Sequence, residues 1–193
     1  MVFVSNVAMN TGLGLKMLML TNIFQMTDSI ATNYLLIIGL IADIIGILAL
    51  KYLTPKSDYV TLTIKFGIRF MLYTIAFFSN NLIMCLIAIT WSILISTAYE
   101  NVCDGVYINR VPNEYQTVFT NYRYILSIIG GSIGLYFAGL VFPLGAPYIL
   151  GLSAFFMIFQ IELGYHLIYL REKENKKIDK EDINNKIQMC SDS

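Results

Sequence analysis

The sequence predicts an all-α integral membrane protein, a bundle of six transmembrane helices, on three observations. Of the 193 residues, 56% are apolar and only 13% are charged, whereas an ordinary soluble domain carries about 25% charged residues. The apolar residues form six stretches, each near the roughly 20 residues that a spanning helix needs. Turn-type sequences separate these stretches, and the basic residues gather on one side of the resulting topology.

The six predicted spans are followed by a charged tail. The spans cover residues 2–24, 31–53, 60–78, 82–102, 119–142 and 147–170, and the tail covers 171–193. The first span is the weakest, because it contains Asn6, Asn10 and Lys16. Turn-type residues connect later spans at 54–58, 79–81 and 142–147. Asn113 followed by Gln116 fits a capping box, so we expect the fifth helix to begin before the bilayer.

The basic residues predict the orientation. The connections at 25–30, 79–81 and 143–146 contain no Lys or Arg. All 13 basic residues except Lys16 fall on the opposite side, provided that Lys65 and Arg69 extend toward it. By the positive-inside rule that side is cytoplasmic, and six spans place both termini there. We therefore predict a multi-pass protein of the plasma membrane. The tail balances six basic against six acidic residues, which favours a solvated extension over a lipid or partner site.

Composition also argues against several functions. The net charge is zero, so nothing favours a nucleic-acid partner. The three cysteines form no CxxC pair and there is one histidine, so we expect no metal site and no cofactor. We recognise no zinc-hydrolase motif, no Ser-Lys or Ser-His arrangement and no paired-aspartate motif. We therefore predict that the protein is not an enzyme, and an intramembrane enzyme is the weakest alternative.

Four charged residues within the predicted spans are candidates for a substrate or proton-coupling site. A charge at the bilayer centre costs about 2.5–3.5 kcal/mol on insertion scales, so it needs a partner or a hydrated cavity. Asp43 and Arg69 lie at similar predicted depths in the second and third spans. They could form a structural salt bridge or a functional site, and both interpretations stay open. Glu162 and Lys16 are the other two candidates.

A second set of charges lies near the cytoplasmic end of the fourth span. Glu100 and Asp104 are four residues apart and share one helix face. Arg110 follows in the next connection, and Arg123 lies early in the fifth span. These four residues predict either a cytoplasmic charge network that latches a closed state or an ordinary hydrated helix end.

Small residues recur at four-residue spacing on the fifth span, at Gly130, Gly134 and Ala138. Such rows let helix backbones approach closely in lipid. The row therefore predicts helix packing first, and a hinge is the alternative.

The order of motifs after residue 98 resembles helices ten to twelve of a major facilitator superfamily transporter. Residues 99–105 lead into residues 109–115, and a glycine-rich helix, a Pro/Gly link and a last helix with basic residues follow. Arg110, Pro112 and Glu114 match an Arg-x-Pro-x-Glu pattern common before helix eleven of that family. The resemblance extends to about Glu174 and covers only half of a normal member.

What the resemblance implies is a C-terminal half, helices seven to twelve, of a secondary transporter that moves a small molecule with ion coupling. In such proteins the substrate site lies near the midplane between two halves. A second six-helix half, either a separate chain or a second copy, would then be the partner. We interpret the apolar opening at Met1 as a truncated start, and an inactive gene fragment as one alternative. A six-helix accessory or assembly protein without transport activity is the other.

Overall fold

The computed structural model describes residues 2–52, 63–108 and 112–191, and it contains no β-strand within them. Six helices longer than ten residues organise this part of the chain. They are α1 (Val2–Leu13), α2 (Asp28–Tyr52), α3 (Ile68–Ser79), α4 (Leu82–Ile108), α5 (Asn113–Val141) and α6 (Ala146–Ser191). A turn of helix at Lys16–Leu18 and a π-helical turn at Met19–Ile23 extend α1, and a second π-helical turn, Thr63–Gly67, precedes α3.

Three helical segments are long and apolar enough to cross a membrane. They are Asp28–Leu48, Asn113–Leu144 and Ala146–Leu170, and two shorter apolar helices, Ile68–Ser79 and Leu82–Ser96, accompany them. Large apolar side chains are exposed along these helices, for example Leu40 at 65% and Ile47 at 67%. A surface this apolar is what a helix presents to lipid rather than to water.

Two tight links reverse the chain where the sequence predicts turns. Asn80 ends α3 with a φ of 46°, and its N–H donates to the Phe77 carbonyl oxygen. Gly145 adopts a φ of 103° after a short 3₁₀ turn, Phe142–Leu144. A side chain is strained at such φ values, so glycine suits this position. Each link therefore makes the two helices that it joins run antiparallel.

The helices pack in a row rather than in sequence order. α1 packs between α5 and α6, and α6 packs in turn on α3. α3 packs on α4, and α4 packs on α2. The order across the bundle is therefore α5, α1, α6, α3, α4, α2, with the outermost helices α2 and α5 the least buried of the spanning segments. Apolar residues of α1, α3, α4 and α6 form the main core.

Three local details differ from the sequence-based expectations. The first predicted span is broken after Leu13 and continues through the π-helical turn to Ile23. The predicted capping box does not form: Pro112 is the N-cap, and the Gln116 amide donates instead to the Asn113 side chain at 2.9 Å. The last helix does not end at the apolar segment but continues to Ser191.

Candidate functional site

A buried polar cluster occupies the interior between α3, α4 and α6. Its centre is Arg69 on α3, which is 1% exposed. The guanidinium Nη2 donates to the Ser92 carbonyl oxygen at 3.2 Å and to the Ser96 hydroxyl, both on α4. Because Ser92 and Ser96 are one helical turn apart, a single face of α4 receives the arginine.

Tyr73 extends this cluster by one turn of α3. Its hydroxyl donates to the Ser92 hydroxyl at 2.8 Å, and the side chain is fully buried. The Tyr73 ring also packs against Gly12 of α1, where a Cβ would lie 2.8 Å from the Tyr73 Cε2 atom. Ser153 of α6 meets the same point and donates to the Ala8 carbonyl oxygen at 2.6 Å. Buried hydrogen bonds therefore join α3 to α4 and α6 to α1, and the contact of Tyr73 with Gly12 connects the two pairs. Such bonds are strong constraints in a low-dielectric interior.

Gln160 on α6 is the most unusual member of this interior. It is 1% exposed, and its Nε2 has no hydrogen-bond partner among the described residues. Two contacts between α6 and the α3 segment show which residues lie at the same height along these helices. The Thr63 and Tyr165 hydroxyls hydrogen-bond, and the Phe77 ring packs over Gly151. The antiparallel register between these contacts places Gln160 level with Arg69. Burying an amide without a partner costs roughly 1–3 kcal/mol in protein mutational data, so this polar group is expensive where it stands.

The interface between α1 and α5 is built on backbone contact. A Cβ at Gly130 would lie 2.6 Å from the Phe3 carbonyl oxygen, and one at Gly134 would lie 2.5 Å from the Val7 carbonyl oxygen. Ala138 continues the row and is fully buried. Ser127, one turn earlier, donates to the Asn6 side chain at 2.9 Å. The small-residue row thus lies against the α1 backbone.

The structure does not bring Asp43 and Arg69 together. Asp43 is exposed on α2, whereas Arg69 is buried and donates to α4. Pairing of these two residues requires α2 and α3 to pack as neighbours, as their order in the chain suggests. In the structure α2 packs on α4, and α4 lies between α2 and α3.

The remaining candidates are dispersed. Glu162 is exposed on α6, and Lys16 is half-buried just after the break in α1. Arg123 is half-buried on α5. Glu100 and Asp104 belong to helix α4, but their side chains lie outside the described part of the structure, and Arg110 lies outside it altogether. Among the described residues, no group of three or more His, Cys, Asp or Glu side chains could hold a metal ion.

Sequence reasoning did not identify four members of the buried cluster: Tyr73, Ser92, Ser96 and Gln160. A signal for some of them was present, since Ser92 and Ser96 have helical spacing within an apolar span. Serine is common in membrane helices as a packing residue, so this spacing alone did not distinguish an arginine site from helix contact. Comparison with family models, with curated proteins and with solved structures finds no match for this chain.

Proposed function

We propose that this chain is a six-helix half of a secondary transporter of the major facilitator type, which moves a small molecule with ion coupling and works together with a second six-helix half. One observation carries the proposal beyond the sequence resemblance: the packing is nearly unchanged when α1, α2 and α3 are exchanged with α4, α5 and α6.

Exchanging the first three helices with the last three converts each extensive interface into an interface that the structure also contains. The contact of α1 with α5 becomes that of α4 with α2, and the contact of α1 with α6 becomes that of α4 with α3. The contact of α3 with α6 maps onto itself, as does the small contact of α1 with α4. A shift of three spans reverses the direction in the membrane, so the two triplets form an inverted repeat. Repeats of three plus three helices are nested within each half of a major facilitator transporter.

Asp43 supports the need for a second half. It lies fifteen residues after Asp28, the start of the apolar segment Asp28–Leu48, and is exposed. Fifteen residues of helix span about 22 Å, so the carboxylate falls inside a hydrocarbon core of about 30 Å. Charged residues at such depths face a bundle interior or a hydrated cavity, because lipid contact is costly. The described residues of the six-helix bundle provide neither around Asp43, and a partner half would.

The proposal predicts that the chain does not transport as a monomer. Alternating access arises when one helical body moves against another around a site between them, and a single bundle has no second body. The test is to purify the chain in nanodiscs, to measure its mass, and to screen small solutes for thermal stabilisation. Solutes that stabilise are then assayed for uptake into proteoliposomes under a proton or sodium gradient.

Asp43→Asn is the informative variant, and Asp28→Asn on the same helix is its matched control. We expect gradient-driven uptake by the dimer or by the pair of halves, its loss in Asp43→Asn, and its retention in Asp28→Asn. A stable monomer that accumulates a solute against its gradient would overturn the two-half proposal. Failure of every solute to stabilise any assembled form would favour an accessory protein instead.

A further inference from the structure

Exposed tyrosines lie at a similar distance from the Phe142–Leu144 turn on both α5 and α6. They are Tyr122 at 66% exposed, Tyr124 at 67%, Tyr165 at 37% and Tyr169 at 55%. We call these four residues the tyrosine band. From their level and exposure we infer that the tyrosine band is an interfacial anchor that lies in the headgroup layer of the bilayer and fixes the depth of the protein. This inference does not depend on transport.

Two helices give the same level independently. Tyr122 lies nineteen residues before Val141, the last residue of α5, and Tyr165 lies nineteen residues after Ala146, the first residue of α6. At 1.5 Å per residue both are about 28 Å from the Phe142–Leu144 turn that joins the helices. The hydrocarbon core of a bilayer is about 30 Å thick. If the turn lies at one boundary of the core, the tyrosine band lies at the other.

The chemistry of the band fits an interface rather than water or hydrocarbon. A tyrosine has an apolar ring and a polar hydroxyl, and such rings concentrate at both membrane surfaces. Arg123 and His166 lie at the same level as Tyr122 and Tyr165, so polar and amphipathic side chains share this depth. The residues between the band and the turn that are exposed include Ile125, Ile129 and Leu140. The exposed surface of α5 therefore changes from apolar to amphipathic at the depth of the tyrosine band.

The anchor determines which segments leave the hydrocarbon core. The first eight residues of α5, 113–120, would project past the band by about two turns. α6 continues for twenty-six residues from Tyr165 to Ser191, about 39 Å of helix. Both projections leave on the same side, so the charged end of α6 and the start of α5 lie in the same aqueous phase.

The single tryptophan provides a built-in depth reference for the test. Trp91 is 53% exposed on α4, nine residues after Leu82, and so lies about 14 Å into the span. In a Trp91→Phe background, we would make Tyr122→Trp, Tyr165→Trp and the control Ile129→Trp. Ile129 lies on α5, is 47% exposed, and stands about 10 Å deeper than Tyr122.

Each protein is placed in bilayers whose lipids carry bromine either near the headgroup or near the acyl-chain methyl end, and quenching of indole fluorescence is compared. We expect the Tyr122→Trp and Tyr165→Trp indoles to be quenched more by the shallow bromines. The Ile129→Trp indole and the native Trp91 should show the inverted ratio. Equal ratios for Tyr122→Trp and Ile129→Trp would overturn the inference. So would the absence of quenching by either lipid in both tyrosine variants, because those side chains would then face water or another protein. Tyr124→Trp repeats the test if one variant fails to fold.

Discussion

At Gly134 a single added methyl group would meet the backbone of the neighbouring helix. A Cβ there would lie 2.5 Å from the Val7 carbonyl oxygen and 3.0 Å from the Thr11 backbone nitrogen. Both atoms belong to the backbone of α1, so no side-chain rotation can relieve the contact. The Thr11 hydroxyl, which donates to the Gly134 carbonyl oxygen at 3.3 Å, would also be displaced. We predict that Gly134→Ala forces α1 and α5 apart.

The expected magnitude follows from the size of this displacement. An ordinary carbon–oxygen contact lies well above 3 Å, so the helices must separate by at least several tenths of an ångström. A gap of about 0.5–1 Å already loses a quarter to a half of the dispersion energy of the contacts across it. Overpacking of this kind typically costs about 1–3 kcal/mol. For a chain of this size, each kcal/mol lowers the unfolding midpoint by roughly 2–4 °C.

Gly139 is the matched control, because a Cβ there would meet nothing within 4 Å. Both substitutions gain the same helix propensity, up to about 1 kcal/mol in favour of alanine, so their difference isolates the contact with α1. We expect Gly139→Ala to be at least as stable as the parent and Gly134→Ala to unfold several degrees lower. The assay is thermal unfolding of the detergent-solubilised protein followed by size-exclusion chromatography. Equal midpoints for the two variants would refute the close approach of α1 and α5.

Two further predictions concern the buried arginine and the topology. Arg69→Gln should lower stability more than Ser96→Ala, because it removes the bonds to both Ser92 and Ser96, and each hydrogen bond to a charged group is worth about 1.5–3 kcal/mol. Thermal unfolding of both single variants and the double variant should show coupling, and strictly additive losses would contradict the contact. In a cysteine-free background, Asn80→Cys and Gly145→Cys should react with an impermeant thiol reagent in intact cells, and Glu114→Cys should react only after permeabilisation. Labelling of Glu114→Cys in intact cells would reverse the predicted orientation.

The positions of the helices along the chain are easier to predict from the sequence than the pairs of helices that pack together. Apolar length and turn residues locate the helices because both signals are local, as at Asn80 and Gly145. The packing order is not local: nothing in the residues of α2 indicates that it packs on α4 instead of on α3. For that reason the sequence suggests Asp43 of α2 as the partner of Arg69, whereas Arg69 hydrogen-bonds to α4. The need of this arginine for a buried polar contact does follow from its position within a predicted span.

The small-residue row and the polar cluster differ in how visible they are in a sequence. Gly130, Gly134 and Ala138 share one helix face, so their spacing alone predicts the contact surface. The cluster around Arg69 takes its members from different helices, and no spacing in the sequence connects them. Only the antiparallel register of α3 with α6 brings Gln160 to the level of Arg69, and that register depends on contacts such as Thr63 with Tyr165.

The proposed repeat relates the α1–α5 interface to the α4–α2 interface, and different kinds of contact form the two. At α1 with α5, glycine brings backbone against backbone, as at Gly134 with Val7. At α4 with α2, side chains fill the gap: the Tyr34 and Thr90 hydroxyls hydrogen-bond across it, and Ile38 is buried beside them. What each helix must match is the volume and polarity of its own partner, not the residues of its counterpart in the other triplet. A repeat of packing can therefore persist where no repeat of sequence is visible, which is why the exchange of triplets emerges from helix contacts and not from the residues alone.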